Sequence, residues 1–370
     1  MKKLFAVLMA VLMVFTLAGC NNSTGGNEET AKKTIYVMGP TPDHGWTAQA
    51  GTYAEAKAKE ITAAGTYNAV YMAASSGEEQ NDQAKQIIAN GDAAGVVMMA
   101  LDDTAVSAQE EFHANNIPFI SFDRIIEATE KYAILNFSGD NWQCGAGIAY
   151  WLQKNGLKPG DTCVILYGDN GTVCKRREEG FRQFLKGEIK YNDNKTGSYE
   201  TTETWTDADL DALFGQYSKV CDWSKDGAST YLETTISDII ADAKGNNGKL
   251  FIYSMDDEMT FGVLNVLEGL TGTDATDAEA LELYISAIGG MQEFYNVMSG
   301  ADTTLAPVAD KYFDDTMSMF FSPKMMQTAV NYMVSYLGGD WSFNTGDGTY
   351  EPVFIVDRTT AGSTEGFTGH

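Results

Sequence analysis

Asp123 and Arg124 stand side by side at the end of a short apolar run, Ile117-Pro118-Phe119-Ile120-Ser121-Phe122. A carboxylate accepts hydrogen bonds from two adjacent hydroxyls, and a guanidinium fork donates to two adjacent oxygens. Together they suit a polyhydroxylated ligand. A strand-end salt bridge in a turn is the alternative for the same two residues. Asp123 with the distant Asp256 would also supply the two carboxylates of a glycosidase. That chemistry is disfavoured, because an arginine beside Asp123 holds it ionised rather than ready to donate a proton. No Ser-His-Asp order is present, and the three histidines, His44, His113 and His370, are too scattered to suggest a zinc cluster. The chain is therefore expected to bind a ligand and not to be an enzyme.

Two further groups leave alternatives open. Beyond Cys20, the cysteines are Cys144, Cys163, Cys174 and Cys221, whose spacing fits neither a metal site nor a dense disulfide framework. Cys144 and Cys163 fall in apolar patterns and read as buried thiols. A Cys174–Cys221 bridge is an option for an exported chain. The run Asn192-Asp193-Asn194-Lys195-Thr196-Gly197-Ser198-Tyr199-Glu200 loosely resembles a calcium loop, with oxygens at alternate positions. Asn192 and Thr196, however, stand where carboxylates are wanted. A solvated insertion over 187–217 is the preferred reading, calcium is the alternative, and no other metal or cofactor is expected.

The elements that must position these groups follow from the hydrophobic rhythm. Strands are expected over 34–39, 68–73, 95–100, 117–122 and 132–137, with helices over 47–63, 79–90 and 103–115 between them. The beat restarts near 137–140 with a helix ending at Gly156, strands over 162–167, 249–254 and 282–288, and helices reaching Leu185 and starting at Asp257. Strands over 317–321 and 352–357 flank a Met-rich helix over 323–337. Alternation at this spacing means βαβ units and parallel sheets. The run before Asp123 is apolar on both alternating faces, as in a sheet covered by helices. Ligands bind such sheets beyond the carboxyl ends of the strands, where Asp123 and Arg124 lie.

Bulk properties bound the function. At 370 residues the chain is long for a single core. Its net charge of −26 argues against nucleic acid and anionic lipid as partners. Lys2, Lys3 and an apolar run from Leu4 to Leu17 form a secretory signal, too short to span a membrane. Leu17-Ala18-Gly19-Cys20 then resembles a bacterial lipobox, with an ordinary signal peptide as the alternative. Residues 1–19 are read as the lipoprotein signal, Cys20 as the lipidated mature N-terminus, and the polar stretch 20–33 as a flexible tether.

The order of landmarks from Thr34 to Asp357 resembles the periplasmic sugar-binding proteins of ABC importers, in the ribose and galactose branch of the type I binding-protein fold. The resemblance implies an α/β chain of two doubly wound parallel-sheet lobes joined by a hinge of about three crossings. The first lobe would hold 34–138 and 322–345, the second 139–321 and 346–370. In Gly39-Pro40-Thr41-Pro42-Asp43-His44-Gly45-Trp46, it implies sugar contacts at Asp43, His44 and Trp46, although His44 and Gly45 depart from the usual aromatic pair. An indole face can cover the C–H face of a pyranose.

Asp123 and Arg124 match the family's strand-end pair. In Thr172-Val173-Cys174-Lys175-Arg176-Arg177-Glu178-Glu179-Gly180-Phe181, Lys175 aligns with the ligand-contacting arginine, and Arg177 with the arginine three before the glycine. Trp223 matches an aromatic that closes over the ligand, with Trp205 as a rival. In Ser254-Met255-Asp256-Asp257-Glu258-Met259, Asp256 replaces a ligand-binding asparagine. Asp257 is expected to cap the next helix, with ligand contact as a second role. Gly289 stands where a sugar-binding aspartate is usual and Phe321 where a glutamine is, which implies a ligand shaped differently from ribose. The implied function is a lipid-anchored, extracytoplasmic, monomeric receptor that delivers a monosaccharide or other small sugar to ABC permease subunits. A sensing module for a membrane kinase or chemoreceptor, or a receptor for a nucleoside or furanose signal, would use the same fold. A DNA-binding regulator is excluded by the export signal and the charge.

Overall fold

The computed structural model describes residues 32–42 and 45–369. Cys20, the signal and most of the tether lie outside the described residues, as do Asp43 and His44.

Strand β1 (Thr34–Pro40) shows why the fold is layered. All seven residues are buried, and successive side chains point to opposite faces, so both faces need cover. Ile35 and Val37 belong to the cluster that holds Ala50, Ala54 and Met326. Tyr36 and Met38 belong to a separate cluster with Ala84, Ile87 and Phe112. After β1 come α1 (Gly45–Ala64), β2 (Asn68–Ala74), α2 (Gly77–Asn90), β3 (Ala93–Met98), α3 (Val106–Ala114), β4 (Phe119–Phe122) and β5 (Leu135–Gly139). They build a parallel sheet ordered β2-β1-β3-β4-β5.

The chain then crosses into α4 (Asn141–Lys154), β6 (Thr162–Tyr167), α5 (Thr172–Leu185), a hairpin of β7 (Tyr191–Asp193) and β8 (Gly197–Tyr199), α6 (Asp207–Gln216) and β9 (Tyr217–Val220). It continues through α7 (Lys225–Asn246), β10 (Lys249–Ser254), α8 (Asp257–Gly269), α9 (Gly272–Glu279), β11 (Glu282–Gly289), α10 (Gln292–Met298), α11 (Ala306–Tyr312) and β12 (Asp315–Phe320). It returns to the first sheet through α12 (Met325–Gly338) and β13 (Gly348–Glu351), and closes the second with β14 (Phe354–Asp357). The second sheet runs β9-β6-β10-β11-β12-β14, parallel except for β14. The two sheets thus share one winding order, and the backbone passes between them three times. This is the expected α/β architecture of two doubly wound lobes.

Several expectations are corrected. Residues 346–370 do not all belong with the second sheet: β13 pairs in parallel with β5, so the last crossing falls between Glu351 and Phe354. The stretch 187–217 is not a solvated insertion. Tyr191 is fully buried, and α6 buries Leu210, Leu213 and Phe214 behind a Thr206–Asp209 capping box. Strand β9 then pairs with β6. The calcium alternative also fails locally. The Asp193 carboxylate accepts from Lys195 N at 2.8 Å, Thr196 N at 2.9 Å, Ile355 N at 2.9 Å and Tyr191 Oη at 2.7 Å. It therefore closes the hairpin turn and ties it to β14, and no group of three potential metal ligands occurs among the described residues. Cys174 and Cys221 are separate free thiols. Cys174 Sγ accepts from Asp169 N at 3.5 Å and Cys221 Sγ donates to Lys219 O at 3.6 Å. Burial pushes each thiol up to about 11. No described helix is long and apolar enough to cross a membrane.

Candidate functional site

The carboxyl ends of both sheets face one cavity of about 380 Å³. It receives Asp123 and Arg124 from the end of β4, Asp169 from the end of β6, Asp256 from the end of β10, Gly289 from β11 and Phe321 from just past β12. Trp46 in the first turn of α1, Arg177 on α5 and Trp223 before α7 complete the wall.

The tip of β4 turns sharply. Asp123 has φ of 59°, a left-handed conformation that aspartate tolerates better than most residues. Its N–H donates to Phe137 O at 2.8 Å, and Arg124 N donates to Phe122 O at 2.8 Å. The Asp123 side chain is buried to 7 % exposure, and its Oδ1 has no hydrogen-bond partner in the protein. Burial pushes its carboxyl above the usual range, while the guanidiniums of Arg124 and Arg177 pull it back.

Arg124 reaches across to the second sheet. Its Nη2 lies 3.1 Å from Asp169 Oδ2, and its Nη1 donates to Leu101 O. The same Asp169 Oδ2 accepts from Trp223 Nε1 at 3.0 Å, and Oδ1 accepts from Gly171 N at 2.7 Å. One carboxylate thus joins a first-lobe arginine to a second-lobe indole. Trp223 and Asp222 have φ of 54° and 52°, two successive left-handed residues that cost roughly 1–2 kcal/mol each. Bonds from Cys221 N to Tyr167 O at 2.8 Å and from Ser224 N to Cys221 O at 3.0 Å hold the turn. It lays the indole on Gly168, where any Cβ would collide with the ring. Strain retained at a cavity wall is a mark of a working position. Trp205, the rival aromatic, is buried and does not line the cavity.

Trp46 is 8 % exposed and donates from Nε1 to Phe321 O at 2.7 Å. Its ring lies 5.5 Å from the Phe321 ring. Arg177 is 4 % exposed; its Nε donates to Asn141 Oδ1 at 2.9 Å and its Nη1 to Met255 O. The guanidinium lies 5.6 Å from the Trp223 ring and 5.3 Å from that of Phe321. Lys175 is corrected. It is exposed and outside the cavity, because two residues turn a helix by roughly 200°. With Arg177 inward, Lys175 faces outward.

The helix cap expected at Asp257 falls instead on Asp256, which keeps its expected place on the cavity wall, and the second, ligand-contacting role of Asp257 is corrected. Asp256 is the N-cap of α8, accepting from Glu258 N at 2.8 Å, and it lines the cavity. Burial, then the neighbouring Asp257 charge, pushes it well above the usual carboxylate range. Asp257 is fully buried and does not line the cavity. It accepts from Gly290 N and Met291 N at 2.7 Å each, and from Ser318 Oγ at 2.7 Å. Gly289 and Gly290 have φ of 154° and 88°, and a Cβ on Gly289 would lie 2.9 Å from Asp257 Oδ2. The carboxylate beneath thus accounts for the glycine where an aspartate was usual. Asp169, Asp222 and Glu258 also line the cavity without having been expected. Asp169 had one signal, its place just past the end of β6.

Asp257 predicts a pH dependence. Burial pushes its carboxyl up to about 6 from 3.8, so the folded chain binds this proton more tightly than the unfolded chain. The stability it adds is present below the unfolded value and is lost as pH rises through the folded one. Asp123 and Asp256 shift in the same direction. Thermal unfolding between about pH 7.5 and about pH 5.5 is expected to show stability rising by on the order of 1–2 kcal/mol toward the acid end. A fall over that window would mean that the hydrogen bonds to the carboxylate outweigh its desolvation.

A family model described as a periplasmic binding protein domain matches residues 35–339. No curated protein matches the chain in sequence. The fold is similar to the periplasmic binding protein component of the arabinose ABC transporter from Shewanella sp. ANA-3, bound to α- and β-L-arabinofuranose. The TM-score is 0.64 at 17 % identity, covering 90 % of this chain and 94 % of that one. It is similar to an ABC transporter solute binding protein from Bacillus halodurans C-125 with bound myo-inositol, with TM-score 0.64, 15 % identity and coverage of 91 % and 98 %. A solute binding protein from Clostridium phytofermentans with bound β-D-glucose gives TM-score 0.63, 18 % identity and coverage of 89 % and 95 %. At such identities the likeness shows the fold alone. With the family model spanning most of the sequence, the chain belongs to the periplasmic binding protein family.

Proposed function

We propose that this protein is an extracytoplasmic receptor that captures a small sugar between its two lobes and delivers it to the permease of an ABC importer. One observation carries the reading. Aromatic faces and hydrogen-bonding groups from the strand ends of both sheets converge on a single cavity, with Trp46, Asp123 and Arg124 on one side and Arg177, Trp223 and Asp256 on the other. Rings cover the C–H faces of a sugar, carboxylates accept from its hydroxyls, and guanidiniums donate to them. The first lobe comprises the β1–β5 region with α12 and β13; the rest forms the second. The three strand-free crossings act as the hinge about which the lobes close. The bound molecules of the similar structures, arabinofuranose, myo-inositol and glucose, support a polyhydroxylated ligand, and the first favours furanose forms as a second reading. Cys20 carries the lipid that tethers the receptor, and the released chain is a monomer.

A panel of pentoses, hexoses, disaccharides and myo-inositol is expected to contain at least one compound that raises the melting temperature and shifts tryptophan emission, since Trp223 and Trp46 line the cavity. Silence across the whole panel would sink the sugar reading.

A further inference from the structure

We infer that residues 366–369 form a clasp across the two walls of the cavity that slows release of the captured molecule, with Gly366, Phe367 and Gly369 as positioning residues. The inference goes beyond the sugar reading: it rests on capture between two lobes, whatever the ligand. The segment runs along the loop that follows β11. Phe367 bridges Met291 in parallel, donates from its N–H to Gly290 O at 3.0 Å and accepts from Gln292 N at 2.7 Å. Gly366 N donates to Gln292 Oε1 at 2.9 Å, and Gly369 N donates to the Glu293 carboxylate at 3.1 Å. Phe367 is 7 % exposed and joins the core. A Cβ on Gly366 would lie 2.7 Å from both Gln292 N and Gly290 O, so backbone lies on backbone here. The segment is thus built into the second lobe. Asp257 holds the same loop from the other side, through Gly290 N and Met291 N, and Gly289 beside it lines the cavity.

The far end of the segment crosses to the first lobe. Gly369 O accepts from Gly45 N at 3.0 Å. Gly45 opens α1, and both it and Trp46 line the cavity. The first N–H groups of a helix have no partner within the helix, so the carbonyl supplies what α1 cannot supply itself. The clasp therefore begins beside Gly289 on one wall and ends beside Trp46 on the other. Hinge opening moves these walls apart. The bonds to Gly290, Gln292 and Glu293 lie within one lobe and survive the motion. The bond to Gly45 joins the lobes and must break. A captured molecule leaves only when the cleft opens, so this bond opposes release. Entry starts from the open form, in which the bond is already broken, so the on-rate does not feel it.

Two variants of the full mature chain release the clasp from outside the cavity, since neither Glu293 nor Gly366 lines it. Glu293→Ala removes the acceptor that holds Gly369, and Gly366→Ala forces the segment off Gln292 and Gly290. Glu293→Gln keeps an acceptor oxygen and serves as the rescue. Without added sugar, hydrogen exchange at the Gly45 amide is expected to be slowed in the parent and to quicken by about threefold to tenfold in both variants, the range of one neutral hydrogen bond. Stopped-flow tryptophan fluorescence with L-arabinose, D-glucose and myo-inositol gives the second readout. Whichever of these binds is expected to leave both variants about threefold to tenfold faster, with the on-rate and the Glu293→Gln protein within about twofold of the parent. An unprotected Gly45 amide in the parent, or unchanged release from both variants, overturns the clasp. An on-rate that falls while release holds would mark a merely structural segment and overturns it equally. If no sugar here or in the wider panel binds, the sugar reading fails by itself, and exchange at Gly45 still decides the clasp.

Discussion

Replacing Arg124 by alanine is expected to weaken ligand binding by about a hundredfold, whereas Lys175→Ala is expected to change it by less than about twofold. Arg124 ties the two lobes together by charge inside the cavity, through Asp169. Its truncation removes donors for the ligand, leaves Leu101 O without its guanidinium and strips Asp169 of its counter-charge. Asp169 then keeps only Trp223 Nε1 and Gly171 N as partners, so the indole is no longer held against the opposite lobe. Breaking a fully buried pair costs about 3–5 kcal/mol. Here the side chains are 16 % and 27 % exposed, which lowers the expected loss to about 2–3 kcal/mol. Lys175 sits only two residues from Arg177 but on the outer face of α5, so it serves as the control. Calorimetry with the best sugar from the panel decides the matter. An Arg124→Ala protein within about threefold of the parent would mean that the strand-end pair is a structural salt bridge and nothing more.

The contrast between Arg124 and Lys175 also shows what the sequence could and could not reveal. Asp123 and Arg124 were legible because an apolar strand ends on them, and the ends of parallel strands face the site. The βα rhythm was legible for the same reason, since strands buried on both faces are apolar throughout. In Lys175-Arg176-Arg177, three basic residues follow one another, and only the phase of α5 selects the inward one. That phase is set by Val173, Phe181 and Phe184, which are buried, and by contacts remote in sequence. Asp169 sits in Gly168-Asp169-Asn170-Gly171, a stretch whose composition signals a turn; its partners lie 45 and 54 residues away. Asp257 looked like a helix cap because acids favour that position. Its actual duty, holding the Gly289–Gly290 turn, depends on a strand more than thirty residues downstream. Helix α6 was hidden by its own acids: Asp207, Asp209 and Asp211 raise the polarity of a segment whose other face buries Leu210, Leu213 and Phe214.

Gly145→Ala tests the deepest link between packing and site, because general propensity and this structure predict opposite signs. Alanine in a helix interior is normally favoured over glycine by about 0.8–1 kcal/mol. The expected stripe of α4, with Cys144, Ile148, Trp151 and Leu152, is indeed buried, but the approach of α5 is set by glycines between those residues. A Cβ on Gly145 would collide with the Arg177 carbonyl oxygen and press Phe181 N at 2.8 Å. Gly180, on the facing helix, meets the Trp142 carbonyl in the same way. Backbone lies against backbone, so no side chain can rotate aside, and α5 must move as a body. Overpacking of this kind costs about 1–3 kcal/mol or more, enough to reverse the propensity gain. Gly215 in α6 and Gly245 in α7 have open space where a Cβ would go, so alanine there is expected to stabilise by up to about 1 kcal/mol. Denaturant unfolding of the three variants should therefore give one loss and two gains. Because Arg177 contributes the colliding carbonyl as well as a guanidinium in the cavity, Gly145→Ala should also weaken sugar binding, which the two control variants should leave unchanged. A Gly145→Ala protein as stable and as tight-binding as its parent would show that α5 is not pinned by this contact, and the position of Arg177 would then need another cause.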